Sequence, residues 1–206
     1  MFGKLSWLPA CAVVIVGCST VPQAATSTPA PTRYRVGDFI VYKYAGNFSS
    51  DAVLLSEDIV AQEGNRLTIV VQAKRGDESR KWEQVVTDTP ENQKAEKIDE
   101  LYDLSGGGRV RLANESNKDV YRLYDWTIPP IDSRPVSVES TSEALVIGNT
   151  AFTCSVENGK FAPDGHIQEF HFATCPDFLW VNGPARVIAS NDEVLWERQI
   201  VEFGRR

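Results

Sequence analysis

Two cysteines, Cys154 and Cys175, flank the turn-forming stretch Ala162-Pro163-Asp164-Gly165 at nearly equal distances. If the chain reverses near residue 164, Cys154 lies ten residues before the reversal and Cys175 eleven after it. The flanking segments "TAFTCSVE" and "HIQEFHFAT" are rich in β-branched and aromatic residues and alternate in polarity, which is the pattern of strands. A hairpin centred there brings the two thiols face to face, with one residue of slack for a glycine bulge at Gly165 to absorb. A bridge closing a loop of about 20 residues stabilises a fold by roughly 3 kcal/mol. Such a pair sets a register, and a register decides which side chains point to which face.

The rest of the chain repeats the strand pattern. Segment 34–46, "YRVGDFIVYKYAG", is aromatic and β-branched, and "AVLLSEDIVAQ" and "RLTIVVQAK" flank the turn "EGN" at 63–65. In the second arm Leu67, Ile69, Val71 and Ala73 share one face, with Thr68, Gln72 and Lys74 on the other. "SRKWEQVVTDT" follows the turn "RGDE", and "IDELYDL" and "RVRLA" surround "SGGG" at 105–108. Thr89 followed by Pro90 marks the start of a short helical turn. Val120, Leu123 and Tyr124 at helical spacing mark a second helix within 117–126. Beyond the proline-rich connector 127–135, "EALVIG", "TAFTCSVE", "HIQEFHFAT", "ARVIAS" and "VLWERQIVEF" read as strands. The expected fold is mainly β: an antiparallel sheet of about nine or ten strands, curled or partly closed to limit its edges, with one or two short helices.

The first 33 residues differ in kind. "MFGK" carries one positive charge, Lys4, and the apolar run "LSWLPACAVVIV" (5–16) is too short for a membrane span, which needs about 20 residues. A charged start, a short apolar run and a small residue at the boundary mark a secretory signal segment. At that boundary, Ile15-Val16-Gly17-Cys18 resembles the lipobox of bacterial lipoproteins. The resemblance implies cleavage before Cys18, a diacylglycerol on its sulfur and an acyl chain on its new amino group. It also implies, through Ser19 rather than Asp after the cysteine, sorting to the outer membrane. Several acyl chains anchor a protein stably, where one alone binds marginally. Residues 1–17 are then a signal peptide and 18–33 a lipidated cysteine with a Ser/Thr/Pro/Ala tether. Residues 34–206 form one β-rich domain. Cys11 leaves with the signal peptide and Cys18 is lipidated, so Cys154 and Cys175 remain as a pair. In an exported protein such a pair reads as a disulfide.

Motifs of chemistry are sparse. The chain carries 28 acidic and 21 basic residues, dispersed rather than clustered, which argues against nucleic-acid partners. His166 and His171, five apart in a strand pattern, point to opposite faces and do not converge on a metal, and no HExxH or Cys/His ligand spacing occurs. There is no G-x-S-x-G or S-x-x-K, and "SGGGR" lacks the Lys-Ser/Thr of a phosphate cradle. Asp99, Glu100 and Asp103 read as a solvated face, and "RGD" at 75–77 as a hairpin turn. No catalytic residue, metal or cofactor is expected. The exception to this blandness is "CPDFLWVNGPA" (175–185), where Asp177 is placed to cap one helical turn and Asn182-Gly183-Pro184 to end it. Phe178, Leu179 and Trp180 there are either a plug over one end of the sheet or an apolar contact for a ligand or partner. Tyr121, Tyr124 and Trp126 pose the same choice, with core packing favoured. The expected role is a non-enzymatic, periplasm-facing outer-membrane lipoprotein that binds a partner protein or an apolar or lipid ligand. The alternative is a periplasmic hydrolase of envelope polymers that uses Asp and Glu residues distant in sequence.

Overall fold

The structure is a computed structural model that describes residues 33–95, 97–113, 118–129 and 134–206. Cleavage and lipidation at Cys18, the signal segment 1–17 and all but the end of the tether lie outside the described residues. Among the described residues, eleven strands form one antiparallel sheet: β1 (Asp38–Ala45), β2 (Val53–Glu63), β3 (Arg66–Arg75), β4 (Glu78–Thr87), β5 (Glu100–Asp103), β6 (Val110–Arg111), β7 (Ser137–Ile147), β8 (Thr150–Phe161), β9 (Gln168–Thr174), β10 (Asn182–Ala189) and β11 (Val194–Arg205). Helices α1 (Pro90–Lys94) and α2 (Lys118–Tyr124) sit between them. The mainly β class holds, with eleven strands where nine or ten were expected.

The strand order is β6-β5-β4-β3-β2-β1-β11-β10-β9-β8-β7. Strands β1 to β6 make one meander and β7 to β11 another, and the first and last strands pair to join them. The sheet is open, with β6 and β7 as its edges. It also coils. A flat sheet holds β8 and β11 about 14 Å apart at roughly 4.8 Å per strand. Yet Phe178, in the loop between β9 and β10, stacks edge-on against both Phe152 of β8 and Phe203 of β11, at 5.3 and 5.1 Å between ring centres.

The periodicities act as the sequence indicates. Leu67, Ile69, Val71 and Ala73 are all buried, as are Val53, Leu55 and Ile59 of β2 and Ile40, Tyr42 and Tyr44 of β1. The two-residue connections Gly64-Asn65 and Gly76-Asp77 make β2–β3 and β3–β4 tight hairpins, with both glycines at positive φ. In α1 the Thr89 hydroxyl accepts from the Asn92 amide at 3.2 Å, with Pro90 in the first turn. Helix α2 and the turn after it cover the β3–β4 face. Leu123 and Trp126 are buried there, and Tyr124 packs edge-on to Trp82 at 5.0 Å. Tyr121 departs from the expected core packing: it is exposed on the outer side of α2. Arg75 and Arg80 stack over Trp126 at 4.2 and 3.8 Å, and Arg80 also pairs with Asp125 at 2.5 Å.

The β1–β11 seam is closed at both ends of β1. At one end Gly37 and at the other Gly46 adopt φ of +90° and +138°, and a Cβ on either would meet β11-side backbone oxygens, at 2.6 Å from Arg206 and 2.4 Å from Leu195. Asp38, 2% exposed, accepts from Arg205 at 2.6–2.7 Å on one oxygen and from the Arg35 amide at 2.8 Å on the other. The Arg206 amide donates to the Gly37 carbonyl at 2.9 Å, and the Arg206 guanidinium reaches Asp58 of β2 at 2.7 Å. Arg205 is half-exposed but Asp38 is buried, so removing Arg205 strands the buried Asp38 charge, whereas pairs with both members in contact with solvent contribute little. Arg205→Ala is therefore expected to destabilise the protein by about 3 kcal/mol, and Arg66→Ala, which breaks the exposed Arg66–Glu100 pair between β3 and β5, by under about 1 kcal/mol. Urea unfolding of both variants measures the contrast; equal effects would remove the seam from the account of stability.

Candidate functional site

Cys154 and Cys175 form a disulfide, with sulfurs 2.01 Å and Cα atoms 4.1 Å apart. The β8–β9 ladder runs from Phe161↔Gln168 to Ser155↔Thr174 without a shift, and the same register brings Cys154 directly opposite Cys175. The bulge anticipated at Gly165 is absent. The reversal is a single 3-10 turn over Pro163–Gly165, which centres the hairpin between residues 164 and 165 and leaves no slack.

The segment after the disulfide folds back on itself as successive turns rather than as a helix, and Asn182, Gly183 and Pro184 belong to β10. The Cys175 amide donates to the Val181 carbonyl at 2.7 Å, and the Val181 amide to the Phe178 carbonyl at 3.0 Å. Val181 adopts φ of +62°, rare for a β-branched residue. The closed loop aims its aromatic side chains inward. Phe178 is 1% exposed, Trp180 is buried against Tyr34 at 5.6 Å, and Leu179 is half-buried. The Arg33 guanidinium hydrogen-bonds the Phe178 carbonyl from the tether side. Of the two readings of Phe178, Leu179 and Trp180, this packing is that of the plug. It leaves Phe178 and Trp180 little surface to offer a ligand.

Nor do the remaining sequence candidates assemble a site. His166 lies in the turn before β9, while His171 is on β9 with Nδ1 2.8 Å from Asn158 Oδ1. Among the described residues no three His, Cys, Asp or Glu side chains converge on a metal position. Asp99 accepts from the Thr87 hydroxyl at 2.7 Å and Glu100 from the Tyr102 hydroxyl at 2.5 Å. Asp103 accepts from the Ser105 amide at 2.8 Å, so each of the three carboxylates is held locally. Around His171, a depression of about 320 Å³ is lined by Asn158, Lys160, Glu169 and Arg186, with Lys160 and Glu169 paired at 2.8 Å.

Among the described residues, a cluster of buried and part-buried ionisable groups lies elsewhere. On β2, Glu57 stands in phase with Val53, Leu55 and Ile59, flanked across the ladder by Ile40 and Val71. On β11, Arg198 stands in phase with Trp196 and is flanked by Tyr44 and Ala185. Tyr42, Tyr44 and Tyr124 complete the group. Arg198 Nε donates to the Gly183 carbonyl at 3.0 Å, its guanidinium lies 5.8 Å from the Tyr42 ring centre, and the Tyr124 hydroxyl donates to Gln84 Oε1 at 3.2 Å. Burial pushes the Glu57 carboxyl up to about 7, against the opposing pull of the Arg198 charge and a hydrogen-bonding interaction with the Tyr124 hydroxyl. Burial likewise raises the Tyr42, Tyr44 and Tyr124 hydroxyls above their ordinary range, with the Glu57 charge adding to the effect. The sequence reading passed over Glu57 and Arg198. Their signal is a charged residue in phase with an apolar row on each of two strands.

No protein-family model matches the chain, and no curated protein sequence does. Among solved structures, a hypothetical protein of Chlamydia trachomatis aligns over 83% of this chain and 88% of its own, at 7% identity and a TM-score of 0.43. A protein of Bacteroides fragilis, described as exported and as having a YmcC-like fold, aligns over 85% of this chain and 98% of its own, at 8% identity and a TM-score of 0.42.

The raised Glu57 pKa makes stability depend on pH with a definite sign. Between pH 4.5 and about 7 the unfolded chain ionises this carboxyl while the folded protein retains the proton, so stability falls as pH rises through that window and the contribution is gone above it. Glu57→Gln is expected to flatten this slope and to stabilise the protein by up to about 3 kcal/mol at pH 8, leaving it near wild type at pH 4.5. Thermal unfolding of both proteins from pH 4 to pH 8 measures the difference, and parallel curves would rule the assignment out.

Proposed function

We propose that this chain is an envelope lipoprotein, anchored in the outer membrane through a lipidated Cys18, whose β sheet is a non-enzymatic module that binds a partner protein. The Cys154–Cys175 disulfide carries the reading. It is closed, buried and built into a hairpin register, and such bridges persist in oxidising compartments rather than in the cytosol. That agrees with the export signal and the lipobox. A protein partner is favoured over an apolar ligand because side chains fill the interior that a lipid chain would need. Tyr42, Tyr44, Trp196, Phe172, Phe170 and Phe161 form an unbroken series of ring contacts from β1 to β8, each 4.6–6.2 Å between centres.

A second reading draws on Glu57. A carboxyl that holds its proton near pH 7 has the property of a general acid, which is what a hydrolase of envelope polymers uses. Its shift is set by burial, Arg198 and Tyr124 without a contribution from a second carboxylate, whereas glycosidases act with two.

Cell fractionation and intact mass of the full-length chain, produced in a bacterium with an outer membrane, test the anchor. Wild-type protein is expected in the outer-membrane fraction, starting at Cys18 and carrying three acyl chains. Cys18→Ser is expected in the soluble fraction without them. An unmodified wild-type chain in the soluble fraction would sink the proposal.

A further inference from the structure

The two edges of the sheet are unlike each other. Strand β6 has two residues, and short edges of that kind do not template further pairing. Strand β7 has eleven, Ser137-Val-Glu-Ser-Thr-Ser-Glu-Ala-Leu-Val-Ile147, and pairs with β8 along its whole length without a bulge. It carries no proline and no lysine, and among the described residues its outer side pairs with nothing. Val138 and Val146 on it are 54% and 70% exposed. Of the devices that normally blunt an edge strand, proline, lysine, a bulge and short length are missing, and charge is present only as Glu139 and Glu143.

The disulfide shows which backbone groups face outward. In antiparallel sheets, residue pairs with Cα atoms near 4.5 Å are the ones that do not exchange hydrogen bonds. Cys154 and Cys175, at 4.1 Å, are such a pair, so the Cys154 amide and carbonyl point to β7 and bond Glu143, its partner there. By alternation, the odd residues of β7 face β8. Val138, Ser140, Ser142, Ala144 and Val146 turn their N–H and C=O groups outward.

We propose that β7 pairs with β7 of a second copy of this chain, antiparallel about a two-fold axis through Ser142. Outward groups must meet outward groups, so even residues oppose even residues. With Ser142 opposite itself, Val138 meets Val146, Ser140 meets Ala144, Glu139 meets Leu145 and Glu143 meets Thr141. The eleven residues of β7 overlap in full and form about ten backbone hydrogen bonds. A shift by one allowed step in either direction puts Glu139 opposite Glu143, or Glu143 opposite itself, and like charges directly opposed are destabilising. Thr141 already donates to Glu143 at 2.7 Å within one strand, and the pairing brings a second threonine hydroxyl to the same carboxylate. The two edge glutamates thus select this register, and isologous pairing closes after two copies.

Sedimentation of the full-length chain in detergent, with cysteine cross-linking, tests the inference. Wild-type protein is expected to sediment as a dimer. Ser142→Cys lies on the axis, at the roughly 5.5 Å Cα separation that a disulfide spans, and is expected to cross-link to a dimer under mild oxidation. Ser140→Cys and Ala144→Cys are each expected to cross-link only when co-expressed with the other. Ser142→Glu changes an exposed side chain and is expected to give a monomer with unaltered circular dichroism, and co-expression with Ser142→Lys to restore the dimer. A monomeric wild type, cross-linking of Ser140→Cys alone, or a Ser142→Cys adduct containing a different protein would overturn the proposal.

Discussion

The pairing of the first strand with the last is the contact on which the rest of this structure depends. Without it, β1–β6 and β7–β11 are two separate meanders, each exposing a long central edge. The seam is therefore fixed by several kinds of interaction at once. Gly37 and Gly46 let the backbones approach more closely than any Cβ permits. Asp38, nearly without solvent contact, ties Arg205 to the Arg35 amide, and Arg206 reaches past the seam to Asp58. A register shift at Val41/Tyr42 bends the pair, which favours the coiling that brings Phe203 over the Phe178 loop.

The same seam creates the chemistry of the interior. Glu57 is one strand to one side of β1, and Arg198 is on β11 at the other, so the two charges become neighbours only because β1 lies between β2 and β11. Tyr42 and Tyr44 fill the intervening strand, and Tyr124 arrives from α2 above. A carboxyl in that setting keeps its proton to a pH at which surface carboxyls have lost theirs. The hydrogen bond from Trp196 to the Thr127 carbonyl, at 3.0 Å, ties the segment after α2 to the last strand. The helix that covers the cluster and the strand that carries Arg198 are thereby held together.

At the opposite end of the sheet, solvation governs. The Phe178 loop is closed by the disulfide and its own backbone bonds, so its apolar residues turn inward and leave a polar exterior. Strand β7 is solvated on most of both faces, and its free backbone groups are the least committed hydrogen-bonding groups of the sheet.

Local alternation was enough to read most of the strands, because each buries one face: Leu67, Ile69, Val71 and Ala73 are visible from spacing alone, and so is the facing of Cys154 and Cys175. Strand β7 was legible only in its second half, from Glu143. Its first half, "SVESTS", is a strand wet on both faces and carries no hydrophobic period to read. The sequence by itself determined the β class, most hairpin boundaries and the facing of the two cysteines, all of which follow from neighbours along the chain. Tertiary structure alone decided that β1 meets β11, that Glu57 and Arg198 share one apolar face, that Phe178 and Trp180 turn inward, and that β7 ends the sheet. The first two depend on which strands become neighbours across 140 or more residues, and alternation specifies the faces of a strand but not its partner.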